Sequence, residues 1–151
     1  MAQSADKPLN GHIVPAPRIL VVDPDTDIRR LYAEVLSGTG YEVDLVPNAA
    51  TGWKALRAKR YHLVITEHEL PDLTGTELIK NLRSARIDVP VVLAAASFPM
   101  RDLMRNPSLQ LAATLLKPFG MDTLLHAVKS ALNGTSAGPD DLSGVFRKAS
   151  D

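Results

Sequence analysis

The sequence has no cysteine, no net charge and no long apolar run. Without cysteine there is no disulfide scaffold and no thiolate-ligated zinc or iron–sulfur centre. Its 17 basic residues balance 17 acidic ones. That balance speaks against a dedicated nucleic-acid binder, which carries a basic face. No segment approaches the roughly 18 apolar residues of a membrane helix. The opening MAQSADKPLNGHIVPAPR lacks a basic start followed by an apolar core, so we read no secretory signal there. What remains is an expected soluble, cytoplasmic protein. Its 151 residues, 45% of them hydrophobic, suffice for one domain with a real core.

The two ends differ from the middle. Residues 1–17 hold Pro8, Pro15 and Pro17 without periodicity and read as a flexible arm. Residues 133–151 open with Asn133, Gly134 and a polar stretch, and read as a flexible tail. Leu142, Val145 and Phe146 sit there at helical spacing, followed by Arg147 and Lys148. The segment is short and uncapped, so disorder is the expectation over a docking helix. With so short a tail, no fused output domain is expected. Residues 18–132 are the expected folded unit.

Within that unit two kinds of segment alternate. Short apolar runs occur at Ile19–Val22, Val43–Val46, Leu63–Ile65, Val91–Ala95 and Ala112–Leu116. Their length and flanks predict strands buried on both faces. Ile28, Leu31, Tyr32, Val35 and Leu36 follow one helical face, ending before Ser37-Gly38-Thr39-Gly40. Asn48 is placed to cap a second helix with Ala49, Trp53 and Leu56 inward. Thr74-Gly75-Thr76-Glu77 spells a capping box before Leu78, Ile79 and Leu82. Phe98–Arg105 predicts a shorter helix led by Ser97. Leu124, Leu125, Val128 and Leu132 predict the last. Five strands alternating with five helices imply a doubly wound α/β fold with a parallel sheet. Function in such sheets lies at the carboxyl ends of the strands.

Those ends carry charge. Strand one ends in Asp23-Pro24-Asp25, strand three in Thr66-Glu67-His68-Glu69, strand five in Lys117-Pro118-Phe119. Taken singly, these residues read as helix caps and loop charges. Taken together, Asp23, Glu67 and Lys117 converge on one crevice after three different strands. His68 between two acids tempts a zinc reading. The other histidines, His12, His62 and His126, stand at no ligand spacing, which argues against it.

Arg18-Ile19-Leu20-Val21-Val22-Asp23, Leu63-Val64-Ile65-Thr66-Glu67 with Leu70-Pro71-Asp72 and Gly75, and Leu116-Lys117-Pro118-Phe119 occur in order. Through these three motifs, residues 18–132 resemble the receiver domain of two-component response regulators, the CheY-like fold. The resemblance implies strand order 2-1-3-4-5 and a cis Lys117-Pro118 peptide. It implies a histidine kinase that phosphorylates an aspartate closing strand three. It also implies Mg2+ on paired acids after strand one, a Ser or Thr after strand four, the strand-five lysine and a strand-five aromatic.

This sequence departs from that pattern at four positions. The phosphoacceptor position is Glu67, the second metal acid is Pro24, the Ser/Thr position is Ala95 and the aromatic position is Thr114. Glutamate carries its carboxylate about 1.5 Å further. Misplacing a reacting group by about 1 Å costs on the order of 100-fold in rate. Asp23 alone leaves a weak or absent Mg2+ site, with Asp25 and Glu69 as neighbouring acids of the pocket. Glu67 is instead expected to reach Lys117 as a fixed negative charge. The expected protein is a degenerate, stand-alone receiver. It is not an enzyme and has no resident cofactor. Its partner is another protein, a histidine kinase or a downstream signalling protein, with no nucleic-acid or membrane partner. The alternative is an active, Mg2+-dependent phosphoacceptor in a phosphorelay.

Overall fold

Each apolar run pairs with its neighbours along one parallel sheet. A computed structural model describes residues 15–134. The expected arm and tail, including Leu142, Val145 and Phe146, lie largely outside the described residues. The strands are β1 (Arg18–Val22), β2 (Glu42–Val46), β3 (Leu63–Glu67), β4 (Val91–Ala95) and β5 (Ala113–Leu116). Their order is β2-β1-β3-β4-β5, all parallel. The connecting helices are α1 (Thr26–Gly38), α2 (Ala49–Ala58), α3 (Gly75–Ser84), α4 (Met100–Arg105) and α5 (Met121–Asn133). A 3-10 turn at Pro107–Leu109 precedes β5.

Strand alternation divides the core between two layers. Ile19, Val21, Ile65, Val92 and Ala94 point to one face, where Tyr32 and Leu36 of α1 meet Leu124 and Val128 of α5. Leu20, Val22, Val64 and Leu93 point to the other, against Leu56 of α2 and Leu78, Ile79 and Leu82 of α3. Two helix starts are tied down as the sequence predicts. Asn48 Oδ1 accepts from the Thr51 amide at 2.8 Å, and the Thr74–Glu77 capping box is complete. Asp72 adds a second clamp on α2, accepting from the Ala49 and Ala50 amides at 3.0 and 2.9 Å.

Five expectations need correction. β2 is not buried on both faces: it is an edge strand, and Leu45 is exposed. Leu31 is 53% exposed, because α1 turns only Tyr32 and Leu36 fully inward. That helix also runs through Ser37 and Gly38, and the chain reverses at Gly40 with φ +103°. Ser97 does not cap α4, which begins at Met100 without a side-chain cap. Trp53 is only half-buried, with Arg57 stacked 5.7 Å over its ring.

Two close contacts set the shape near the strand ends. Arg83 of α3 donates to the carbonyls of Ile87, Val89 and Leu109 at 2.8–2.9 Å. It thereby ties the entry to β4 and the 3-10 turn to one side chain. Gly75 packs so tightly under β3 that a Cβ there would lie 2.6 Å from the Glu67 carbonyl oxygen. Gly75→Ala is expected to lower urea stability by about 1–3 kcal/mol, since backbone must move. Gly38, with open space around it, is the control. Gly38→Ala should instead gain about 0.5 kcal/mol through the unfolded chain.

Candidate functional site at the strand carboxyl ends

A parallel sheet delivers every strand's carboxyl end to the same edge. β1 delivers Asp23, β3 delivers Glu67 and β5 delivers Lys117. Asp23 is 2% exposed. Its Oδ2 accepts from Lys117 Nζ at 3.0 Å, and its Oδ1 accepts from the Asp25 amide at 2.9 Å. Lys117 Nζ also donates to Glu67 Oε1 in a short contact. Glu67 Oε2 accepts from the amides of His68 and Glu69 at 2.8 and 3.1 Å. Both oxygens of Glu67 are thus engaged, and one ammonium spans two carboxylates. Burial pushes the Lys117 amine down. Its hydrogen bonds to Glu67 and Asp23, and their charges, outweigh that and hold its pKa above the ordinary lysine value.

The remaining acids stand apart from Lys117. Asp25 is the N-cap of α1, its Oδ1 accepting from Asp27 and Ile28 amides at 2.8 and 3.1 Å. It therefore faces the helix start, not the crevice, which corrects the expected acidic pocket. Glu69 is exposed at a bridge to Thr74 and makes no ion pair with Lys117. Pro24 is exposed between the two aspartates. Ala95 and Thr114 are buried on β4 and β5, with Ala95 presenting no hydroxyl to the crevice.

Sequence reading missed three contributors. Arg29 reaches back from α1 to the Asp23 carbonyl at 2.6 Å, which fixes the β1–α1 turn. Its position one turn after the cap was the available signal. Tyr32 was read only as core. Burial, then the nearby charges of Asp23 and Glu67, push its phenol well above the ordinary tyrosine range. Asp102 of α4 accepts from buried Thr76 at 3.3 Å, linking α4 to the start of α3. No sequence spacing announces that contact.

These residues do not fit a Mg2+ ion. Such an ion is held by one or two carboxylates with room for waters. Here one Asp23 oxygen lies on Lys117, Asp25 is spent on α1 and position 24 is proline. Among the described residues no three acids or histidines gather as a metal cluster.

Residues 19–129 match the response regulator receiver domain. The chain belongs to that family. Over 119 residues this receiver is 35% identical to the DNA-binding transcriptional regulator NtrC of a Bradyrhizobium species, covering 79% of this chain and 25% of that protein. A CheY-like receiver structure from Methanospirillum hungatei superposes with a TM-score of 0.74 at 26% identity, covering 79% of this chain and 95% of that one. The response regulator TrrA of Thermotoga maritima, in complex with Mg2+-BeF, does so at 0.69 and 31%, covering 76% and 98%. The receiver spans a quarter to about half the length of the curated relatives it matches. Its broad role is that of a response regulator receiver in two-component signalling. The expected cis Lys117-Pro118 peptide is present.

Removing the Lys117 charge leaves two largely buried carboxylates uncompensated. Lys117→Met is therefore expected to cost about 3–5 kcal/mol in urea denaturation. The alkaline limb provides a second check. A raised folded pKa gives stability that is full below the unfolded value, about 10.4, and is lost as pH rises through the folded value. The native chain should thus lose stability more steeply above about pH 10 than Lys117→Met, which lacks this group.

Proposed function

We propose that this receiver is a phosphorylation-independent protein-interaction module, held in one signalling state by the Asp23–Lys117–Glu67 bridge. The observation that carries the reading is the engagement of Glu67: one oxygen on Lys117, the other on two amides. A nucleophile must present a free lone pair in line with the donor. A carboxylate tied in this way is badly placed for that attack. Lys117, which would stabilise a transferred phosphoryl oxygen, already serves two acids. Ala95 supplies no hydroxyl for the same task. Thr114 supplies no aromatic to report a change. The arrangement is a partial substitute for a phosphorylated state, with charge −1 in place of roughly −2.

On this reading the partner is a protein, either a histidine kinase or a downstream signalling protein. The balanced charge of residues 18–132 argues against direct nucleic-acid contact by the domain itself. No described helix is long and apolar enough to cross a membrane; a cytoplasmic setting without a membrane partner belongs to the same reading.

A working phosphoacceptor is the second reading. It is favoured by the retention of Asp23 and Lys117 and by the Mg2+-BeF complex of TrrA. The two readings separate directly. The full chain is incubated with Mg2+ and acetyl phosphate, and its intact mass is followed with and without hydroxylamine. No adduct is expected, and Mg2+ alone should leave Trp53 fluorescence unchanged. Stoichiometric, hydroxylamine-labile phosphorylation would establish the second reading instead.

A further inference from the structure

α1 carries a wider apolar stripe than its core contact uses. Ile28, Leu31 and Val35 form one wall of an open groove, and Phe119, Met121 and Leu124 at the start of α5 form the other. The groove has a volume of about 230 Å3. A cavity of about 150 Å3 lined by similar side chains takes up benzene. Leu31 and Met121 are 53% and 59% exposed at its lips. An apolar cleft of this kind marks a binding surface.

Its surroundings specify an occupant. Asp27 and Glu34 stand one turn to either side of Leu31, both exposed, with Arg30 beside Leu31 paired to Asp27 at 3.7 Å, and Asp122 stands beside Met121. Three acids against one arginine leave the rim net acidic, which suits an apolar segment with basic neighbours. This chain contains one: Leu142, Val145 and Phe146 at i, i+3 and i+4, followed by Arg147 and Lys148. Asp140 and Asp141 precede it, an order of charge that complements a helix dipole.

Reach and direction agree as well. The chain leaves α5 at Gly134, whose φ of +68° turns it away from the helix axis. The groove lies at the opposite end of that helix, about 20 Å away. Eight residue steps separate Gly134 from Leu142 and span up to about 26 Å. Both α1 and α5 begin at the strand carboxyl ends. A segment returning along α5 therefore meets Val35 first and Leu31, Phe119 and Met121 later. Along that direction Phe146 would reach Leu31 and Met121, with Arg147 and Lys148 beyond it toward Asp27.

We propose that the segment Leu142–Lys148 docks in the groove between α1 and the start of α5 of its own chain. The segment then covers the apolar lips beside Lys117, and any protein that uses this face must displace it. The proposal is independent of whether Glu67 accepts phosphate.

NMR of the full chain tests it. Expected are nuclear Overhauser contacts between the Phe146 ring and the Leu31 and Met121 methyl groups. Amide exchange in residues 142–148 should be at least about tenfold slower than in the same segment as a free peptide. Phe146→Ala and, separately, the surface change Leu31→Asp should each abolish both effects. Joint reversal of Arg147 and Lys148 to glutamate should weaken the protection. Peptide-like exchange with Leu31 signals unmoved by Phe146→Ala would overturn the proposal. So would contacts found only between differently labelled molecules, because a second copy would then be the occupant.

Discussion

The crevice of this receiver depends on a single ammonium group. Lys117 arrives on the edge strand β5, yet it bonds acids that end β1 and β3. An isolated buried carboxylate is costly, and two side by side repel. Asp23 and Glu67 coexist there because Lys117 lies between them and backbone amides take their remaining oxygens. The bridge closes the gap from the first strand to the last. It ties the β1–α1 turn, the β3–α3 loop and the β5–α5 loop to one point.

The rest of the fold holds those three loops at the required distance. Parallel pairing fixes the height of each strand end, and Asp25 and Arg29 fix the turn after β1. Gly75 lets α3 start directly against the Glu67 carbonyl, and the Glu67 carboxylate accepts from the two amides that follow it. Arg83 does comparable work on the far side, bonding three carbonyls that otherwise need water. The carboxylate oxygens of Asp23 and Glu67 all have partners, either Lys117 or a backbone amide. Those partners are what the proposal of an interaction module rests on.

Much of this was legible in the sequence because it follows from local periodicity. Continuous apolar runs gave the strands, and Thr74 and Asn48 marked helix starts that the structure reproduces. Motif order gave the family. The reading failed where a residue's fate depends on its neighbour in space. Leu31 shares the helical spacing of Tyr32 and Leu36, but only tertiary packing decides how wide a stripe is covered. Val43–Val46 has the composition of a central strand, yet topology puts it at the edge. Asp25 and Asp23 look alike in sequence. One caps a helix and the other is buried against Lys117, a difference created by two steps along the chain. Ser97 has the right chemistry for a cap, but α4 starts three residues later. The Arg83–Leu109 and Thr76–Asp102 contacts each join residues 26 positions apart and leave no local signature.

The central claim is that Glu67 and Lys117 act as one unit. A double-mutant cycle measures this directly, with urea stabilities of the native chain, Glu67→Gln, Lys117→Met and the double variant. Neighbouring charged groups of this kind couple by roughly 0.5–3 kcal/mol. The bridge predicts a favourable coupling of at least about 1 kcal/mol, with the double variant less damaged than the sum of the singles. Additivity within about 0.3 kcal/mol would contradict it, and Glu67 would then be a bystander beside Lys117.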